Sequence, residues 1–77
     1  MVKAYVLVVA NPGATKQVFA ALQKIQGVTG CYEVMGPYDI VVEIEVENLS
    51  DVPSILSNHI RPTPGVESTT SLVTFPD

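Results

Sequence analysis

The sequence contains few of the residues on which much protein chemistry depends. Its 77 residues include no tryptophan, one cysteine (Cys31) and one histidine (His59). A single cysteine excludes an internal disulfide and the thiolate clusters that hold structural zinc. A lone histidine with no carboxylate or second ligand nearby is more often a boundary residue than a metal ligand or a base. We therefore expect a protein without a metal or another cofactor.

Basic residues and long apolar runs are also scarce. Four basic residues stand against eight acidic ones, a formal charge of −4, and Lys3, Lys16, Lys24 and Arg61 form no cluster. Such a surface repels phosphate backbones, so we expect no nucleic-acid binding by this chain alone. The apolar run at residues 6–10 is too short to cross a membrane, and no signal-cleavage pattern follows it. We expect a cytoplasmic protein.

Hydrophobic residues, in contrast, make up 47% of the chain, and charged residues only 16%. These proportions predict one folded domain over residues 1–77. A chain of this length buries only about 60% of its unfolded surface, so its own core gives modest stability. Because we expect neither a disulfide nor a metal to add to it, we expect the chain to oligomerise.

The hydrophobic pattern predicts six elements in the order βαββαβ. Residues 2–10 are apolar at nearly every position, which is typical of a central strand buried on both faces. A helix follows, capped by Thr15 and ending at Gly27, and then come two strands, at residues 28–35 and 40–47. The second helix is capped by Ser50 or Asp51, and the apolar stripe on its inner side ends in His59 or Ile60. The last strand covers residues 66–75. This order predicts a ferredoxin-like α+β fold, an antiparallel four-stranded sheet with two helices on one face and the first and third strands in its centre.

Helices on one face leave the other face of this sheet uncovered. The first strand is apolar on both faces, and an exposed apolar patch usually marks an interface. We therefore expect a symmetric dimer that packs sheet against sheet. The row Glu43, Glu45 and Glu47 falls on the same helix-free face, so part of it must stay solvated or pair with Lys3.

The sequence Gly36-Pro37-Tyr38-Asp39 connects the second and third strands. Glycine and proline suit a hairpin turn, and turn geometry alone explains them. An acid next to a phenol also suits an α-amino acid, because the carboxylate can pair with the ammonium group, backbone donors near Gly36 can bind the carboxylate, and Tyr38 can cover the ligand. Both interpretations remain open from the sequence.

Several of these residues together resemble a known family. Gly27-Val28, Tyr32, Gly36-Pro37-Tyr38-Asp39-Ile40, and Gly65-Val66 followed by Thr69-x-Ser71-x-Val73 look like the effector-binding (RAM) domain of the Lrp/AsnC transcription regulators. The resemblance implies a dimer that assembles further, often into a ring of four dimers, with an amino-acid pocket between dimers. Carried over by position, the pocket residues are Gly36, Tyr38, Asp39, Thr69, Thr70 and Ser71. Ser68 stands where the family often has arginine, and Ser71 where it usually has threonine.

No helix-turn-helix precedes the first strand in this sequence, so it resembles the stand-alone members of the family. Our first hypothesis is a non-enzymatic module that senses a small amino acid or related metabolite and changes its assembly. It could also co-assemble with full-length regulators without touching DNA. The alternatives are a small dimeric α+β-barrel enzyme, since fold alone does not fix function, and a purely structural oligomerisation module.

Overall fold

The predicted βαββαβ order is confirmed in a computed structural model, which describes residues 1–75. The elements are β1 (Val2–Ala10), α1 (Thr15–Leu22), β2 (Val28–Glu33), β3 (Ile40–Val46), α2 (Asp51–Ile55) with a π-helical turn directly after it (Leu56–Ile60), and β4 (Val66–Val73).

The four strands form one antiparallel sheet in the order β2-β3-β1-β4, so β1 and β3 are central, as predicted. Ala4, Val6 and Val8 of β1 have no exposed surface. They share a core with residues from both helices, which places the two helices on the same face: Val18 and Leu22 of α1, Val52 of α2 and Ile60 of the π-helical turn. The predicted ferredoxin-like fold is confirmed.

Helix α1 is shorter than its apolar stripe predicts. It ends at Leu22 instead of Gly27, and Thr15 is its first residue while Ala14 takes the cap position without a side-chain cap. Ile25 lies in the turn that follows, where its N–H donates to Leu22 O at 3.3 Å, and it still packs against the core. The apolar pattern extends beyond the end of the helix because the turn places the next apolar residue against the same core.

The second helical segment changes pitch in its last turn. The Arg61 N–H donates to Leu56 O at 2.9 Å, five residues back, which is the bonding of a π-helix. The wider turn buries Ile60 completely and leaves His59 exposed. This resolves the two alternatives for the inner stripe in favour of Ile60.

The two βαβ halves repeat one connection. Gly27 precedes β2 and Gly65 precedes β4, and both have φ of +98°. The carbonyl of Gly27 accepts from Glu45 N at 3.0 Å, and that of Gly65 from Asn11 N at 2.8 Å. Each glycine thus fixes the start of an edge strand to the end of a central strand.

Gly65 should be the least replaceable glycine of the chain. A Cβ at this position would lie 2.7 Å from Val18 Cγ2, in addition to the strain of a positive φ. We expect Gly65→Ala to lower the free energy of unfolding by about 3 kcal/mol in urea titrations. Gly13→Ala is the matched control, because Gly13 also has a positive φ but open space around it, and about 1 kcal/mol is expected. Equal losses would contradict the packing argument.

Candidate functional site

The connection between β2 and β3 projects from the sheet. It comprises residues 34–39 and closes with a hydrogen bond from Val34 N to Asp39 O at 2.9 Å. Gly36 has φ of +138°, and a Cβ there would meet nothing within 4 Å. Met35 is fully exposed. The connection is thus longer than the predicted four-residue turn, because β2 ends at Glu33, and it presents an apolar tip to solvent.

Asp39 anchors this turn to β1. Its N–H donates to Val8 O at 2.9 Å. Its side-chain Oδ2 accepts from Ala10 N at 2.8 Å. A carboxylate has further acceptor sites, and no ion pair engages Asp39 within the described residues 1–75. The residue therefore has a structural role, and its negative charge remains available to a ligand. The sequence did not reveal the bond to Ala10, 29 residues away.

The predicted residues of β4 do not share one face. Thr69 pairs with Val8 and Ser71 with Val6, which places both on the helix side of the sheet. Thr70 pairs with Leu7 and lies on the open face. The pleat of a strand sends successive side chains to opposite faces, so the six predicted residues form at least two groups in one chain.

The turn and β4 flank the end of β1 on opposite sides. Asp39 bonds to Val8 from the β3 side, and Thr69 pairs with Val8 from the β4 side. Two strand spacings, roughly 9–10 Å, separate them. The two predicted groups of residues therefore lie at the same end of the sheet, on the two sides of its central strand.

Arg61 is a residue that the sequence did not single out. Its Nε donates to Thr69 Oγ1 at 3.4 Å. The two side chains line a cleft of about 320 Å³ together with Val66, Glu67 and Ser68. The sequence pattern does not predict this contact. The direction of the Arg61 side chain depends on the π-helical turn, which the apolar periodicity does not indicate.

The open face of the sheet carries an ion pair amid apolar side chains. Lys3 Nζ lies 3.2 Å from Glu43 Oε2, as the sequence suggested, and the hydrogen bond and charge of Glu43 raise the pKa of Lys3. Glu45 lies on the same face, whereas Glu47 follows the end of β3 and is exposed.

Within residues 1–75, no three His, Cys, Asp or Glu side chains cluster closely enough to hold a metal ion.

Cys31 lies on the helix side of β2 and packs against the core. Burial, and then the charge of Glu33, raise the pKa of its thiol, which disfavours the reactive thiolate.

Among the described residues, no helix combines the length and hydrophobicity needed to span a membrane.

The structure defines an α+β domain with an exposed connection at one end of its sheet. Residues 3–76 match the family model described as the Lrp/AsnC ligand binding domain. The chain belongs to this family.

Individual relatives agree with this assignment. The HTH-type transcriptional regulator LysM of Sulfurisphaera tokodaii is 36% identical over 94% of this chain and 51% of its own length. This chain therefore spans about half the length of that regulator. The crystal structure of TTHA0845 from Thermus thermophilus aligns with a TM-score of 0.95 at 26% identity, over 100% of this chain and 96% of that one.

A third relative is known with a ligand. The feast or famine regulatory protein of M. tuberculosis, complexed with L-methionine, aligns with a TM-score of 0.83 at 26% identity. The alignment covers all of this chain (100%) and 52% of that one.

The anchoring role of Asp39 can be separated from its charge. Asp39→Ala leaves the Ala10 N–H without an acceptor, so we expect a loss of about 2 kcal/mol in the free energy of unfolding. Asp39→Asn keeps an oxygen acceptor for Ala10 and should cost less than half as much. Glu47→Ala removes an exposed charge and should change stability by no more than about 0.5 kcal/mol. Equal effects of Ala and Asn in urea titrations would contradict the anchoring role.

Proposed function

We propose that this chain is a non-enzymatic module that senses a small amino acid and changes its assembly in response. The observation that carries the proposal is membership of the Lrp/AsnC ligand-binding family over nearly the whole chain. The M. tuberculosis relative with bound L-methionine supports the ligand class. Since its relatives are transcription regulators, we place the module in the cytoplasm, where it acts on amino-acid metabolism directly or by co-assembly with full-length regulators.

The open face of the sheet supports a dimer. Tyr5, Leu7 and Val9 of β1 lie there half-buried, and Leu72 of β4 is 52% exposed. Packing two such faces together removes this apolar surface from water, at about 25 cal/mol for each Å² buried. Lys3 and Glu43 then lie at the same interface as an already formed ion pair.

The exposed tip of the β2–β3 connection supports assembly beyond the dimer. Met35 and Val34 are apolar and exposed there. A neighbouring dimer that covers this tip would bring Gly36, Tyr38 and Asp39 of one chain against Thr69 and Ser71 of another. We propose that the amino acid binds at this junction, and that the dimers form a closed ring, of four dimers by resemblance to the family. Thr70 faces the dimer side instead.

The interior of the domain supports a binding role over an enzymatic one. An α+β-barrel enzyme needs a cavity between helices and sheet. Here the centre of that space is filled by core side chains without exposed surface, among them Leu22, Ile44 and Ile60. A cleft of about 560 Å³ does lie between α2 and β4, but apolar side chains and two serines line it, with no titratable group to act as an acid or a base.

The dimer can be tested by placing a charge in the centre of the open face. Leu7 lies between Val41 of β3 and Thr70 of β4. We expect Leu7→Asp to give a folded monomer of 8.2 kDa by light scattering, because a buried unpaired carboxylate disfavours the interface. Gln17→Asp, on the exposed side of α1, adds the same charge and should leave the assembly unchanged. A Leu7→Asp variant with a native circular dichroism spectrum and the wild-type mass would contradict this dimer.

Amino-acid sensing can be tested by calorimetry. We expect the wild-type protein to bind at least one of the standard amino acids, L-methionine being the first probe, and its mass by light scattering to change on binding. Asp39→Asn retains the acceptor for Ala10 and removes the charge, so it should weaken binding roughly tenfold while the fold persists. Absence of heat with all standard amino acids would overturn the sensing proposal but leave the fold intact.

A further inference from the structure

The backbone around Arg61 is fixed on both sides. Ile60 is fully buried, and the Arg61 N–H closes the π-helical turn on Leu56 O at 2.9 Å. The Thr63 N–H donates to Ile60 O at 3.1 Å, and the Thr63 hydroxyl donates to His59 O at 2.7 Å. Arg61 therefore leaves the end of the helix in a defined direction, towards β4.

The guanidinium of Arg61 retains most of its donors. The bond from Nε to Thr69 Oγ1, at 3.4 Å, uses one of its five N–H groups. Within residues 1–75, the terminal nitrogens make no further hydrogen bond or ion pair. Their planar arrangement matches the two oxygens of a carboxylate. The contact with Thr69 orients the guanidinium for such a ligand.

The cleft beside Arg61 has the size and charge for a small zwitterion. Its volume of about 320 Å³ is at the lower end of the range for small-molecule pockets. Glu67 lines the same cleft and is the additional residue of a β-bulge, since Ala10 pairs with Val66 and Val9 with Ser68. Bulges redirect side chains and are frequent beside binding sites. A carboxylate near the guanidinium disfavours a dianion such as phosphate and favours a ligand that also carries a positive charge.

We propose that Arg61, oriented by Thr69, binds the carboxylate group of a zwitterionic amino acid in the cleft between the end of the second helical segment and the start of β4. This inference rests on the proposed amino-acid sensing. The inference adds a carboxylate-binding residue outside the β2–β3 turn, contributed by the chain on the opposite side of the proposed dimer junction.

Calorimetry on four proteins tests the assignment: wild type, Arg61→Gln, Arg61→Lys and Lys24→Gln. The probes are L-methionine and the other standard amino acids, the amide of the amino acid that binds best, sodium propionate and inorganic phosphate. We expect Arg61→Gln to weaken amino-acid binding by roughly ten- to a hundredfold, the usual effect of losing a charge-assisted contact. The affinity of Arg61→Lys should lie between those of the wild type and Arg61→Gln, because lysine keeps the charge but not the planar donors.

Two controls separate the carboxylate contact from general effects. Lys24→Gln removes an equal charge at an exposed position after α1 and should bind like wild type. The amide probe lacks the carboxylate, so Arg61→Gln should not weaken its binding further. Phosphate should not bind. Thermal unfolding of each variant checks that the domain is folded.

The outcomes distinguish this inference from the sensing proposal. If the wild type binds an amino acid and folded Arg61→Gln binds it within twofold as well, the role of Arg61 is wrong and sensing stands. If no amino acid binds but propionate binds in an Arg61-dependent manner, Arg61 does bind a carboxylate, but the zwitterionic ligand and amino-acid sensing are both overturned. If neither amino acids nor propionate bind the wild type, both are overturned.

Discussion

The structure depends on the burial of one row of side chains along the middle of β1. Ala4, Val6 and Val8 are completely enclosed between the sheet and the two helices. Because β1 bonds to β3 on one side and β4 on the other, this row fixes the position of both neighbouring strands. Alternation along the same strand then sends the other row of apolar side chains to the open face, where the helices do not reach. The core and the exposed apolar face are therefore two consequences of one strand.

The end of β1 also organises the candidate site. Val8 is bonded by Asp39 on one side and paired with Thr69 on the other. The turn and the cleft of Arg61 consequently lie at the same end of the sheet but on different sides of its central strand. In the proposed assembly, chains that meet at this end would bring the turn of one against the cleft of another. A ligand that binds between chains stabilises the assembled state only as far as its affinity for that state exceeds its affinity for the separated chains. Ligand binding and assembly are coupled in this way.

Two residues at this end combine a structural bond with an available charge. Asp39 accepts from the Ala10 amide and Arg61 donates to the Thr69 hydroxyl, yet each retains capacity for a ligand. In the proposed site, the bond from Ala10 N holds the Asp39 carboxylate in place before a ligand arrives, so less side-chain entropy would be lost on binding. The turn at residues 36–39 is therefore both a structural connection and a candidate binding element, and the two interpretations of its sequence are compatible.

The sequence by itself determined the order of the elements, the two central strands and the side of the sheet that lacks helices, because each follows from periodicity and from the order of the elements. For the acidic row it left two alternatives, and the structure shows the ion pair of Lys3 with Glu43. Only the tertiary structure decided the end of α1, the choice of Ile60 over His59, the position of Glu67 at a β-bulge, the bond from Ala10 N to Asp39, and the approach of Arg61 to Thr69. These features depend on a π-helical turn, a β-bulge and contacts between residues distant in the sequence. Local patterns carry no information about such contacts, since their energies appear only when the sheet and the helices have come together.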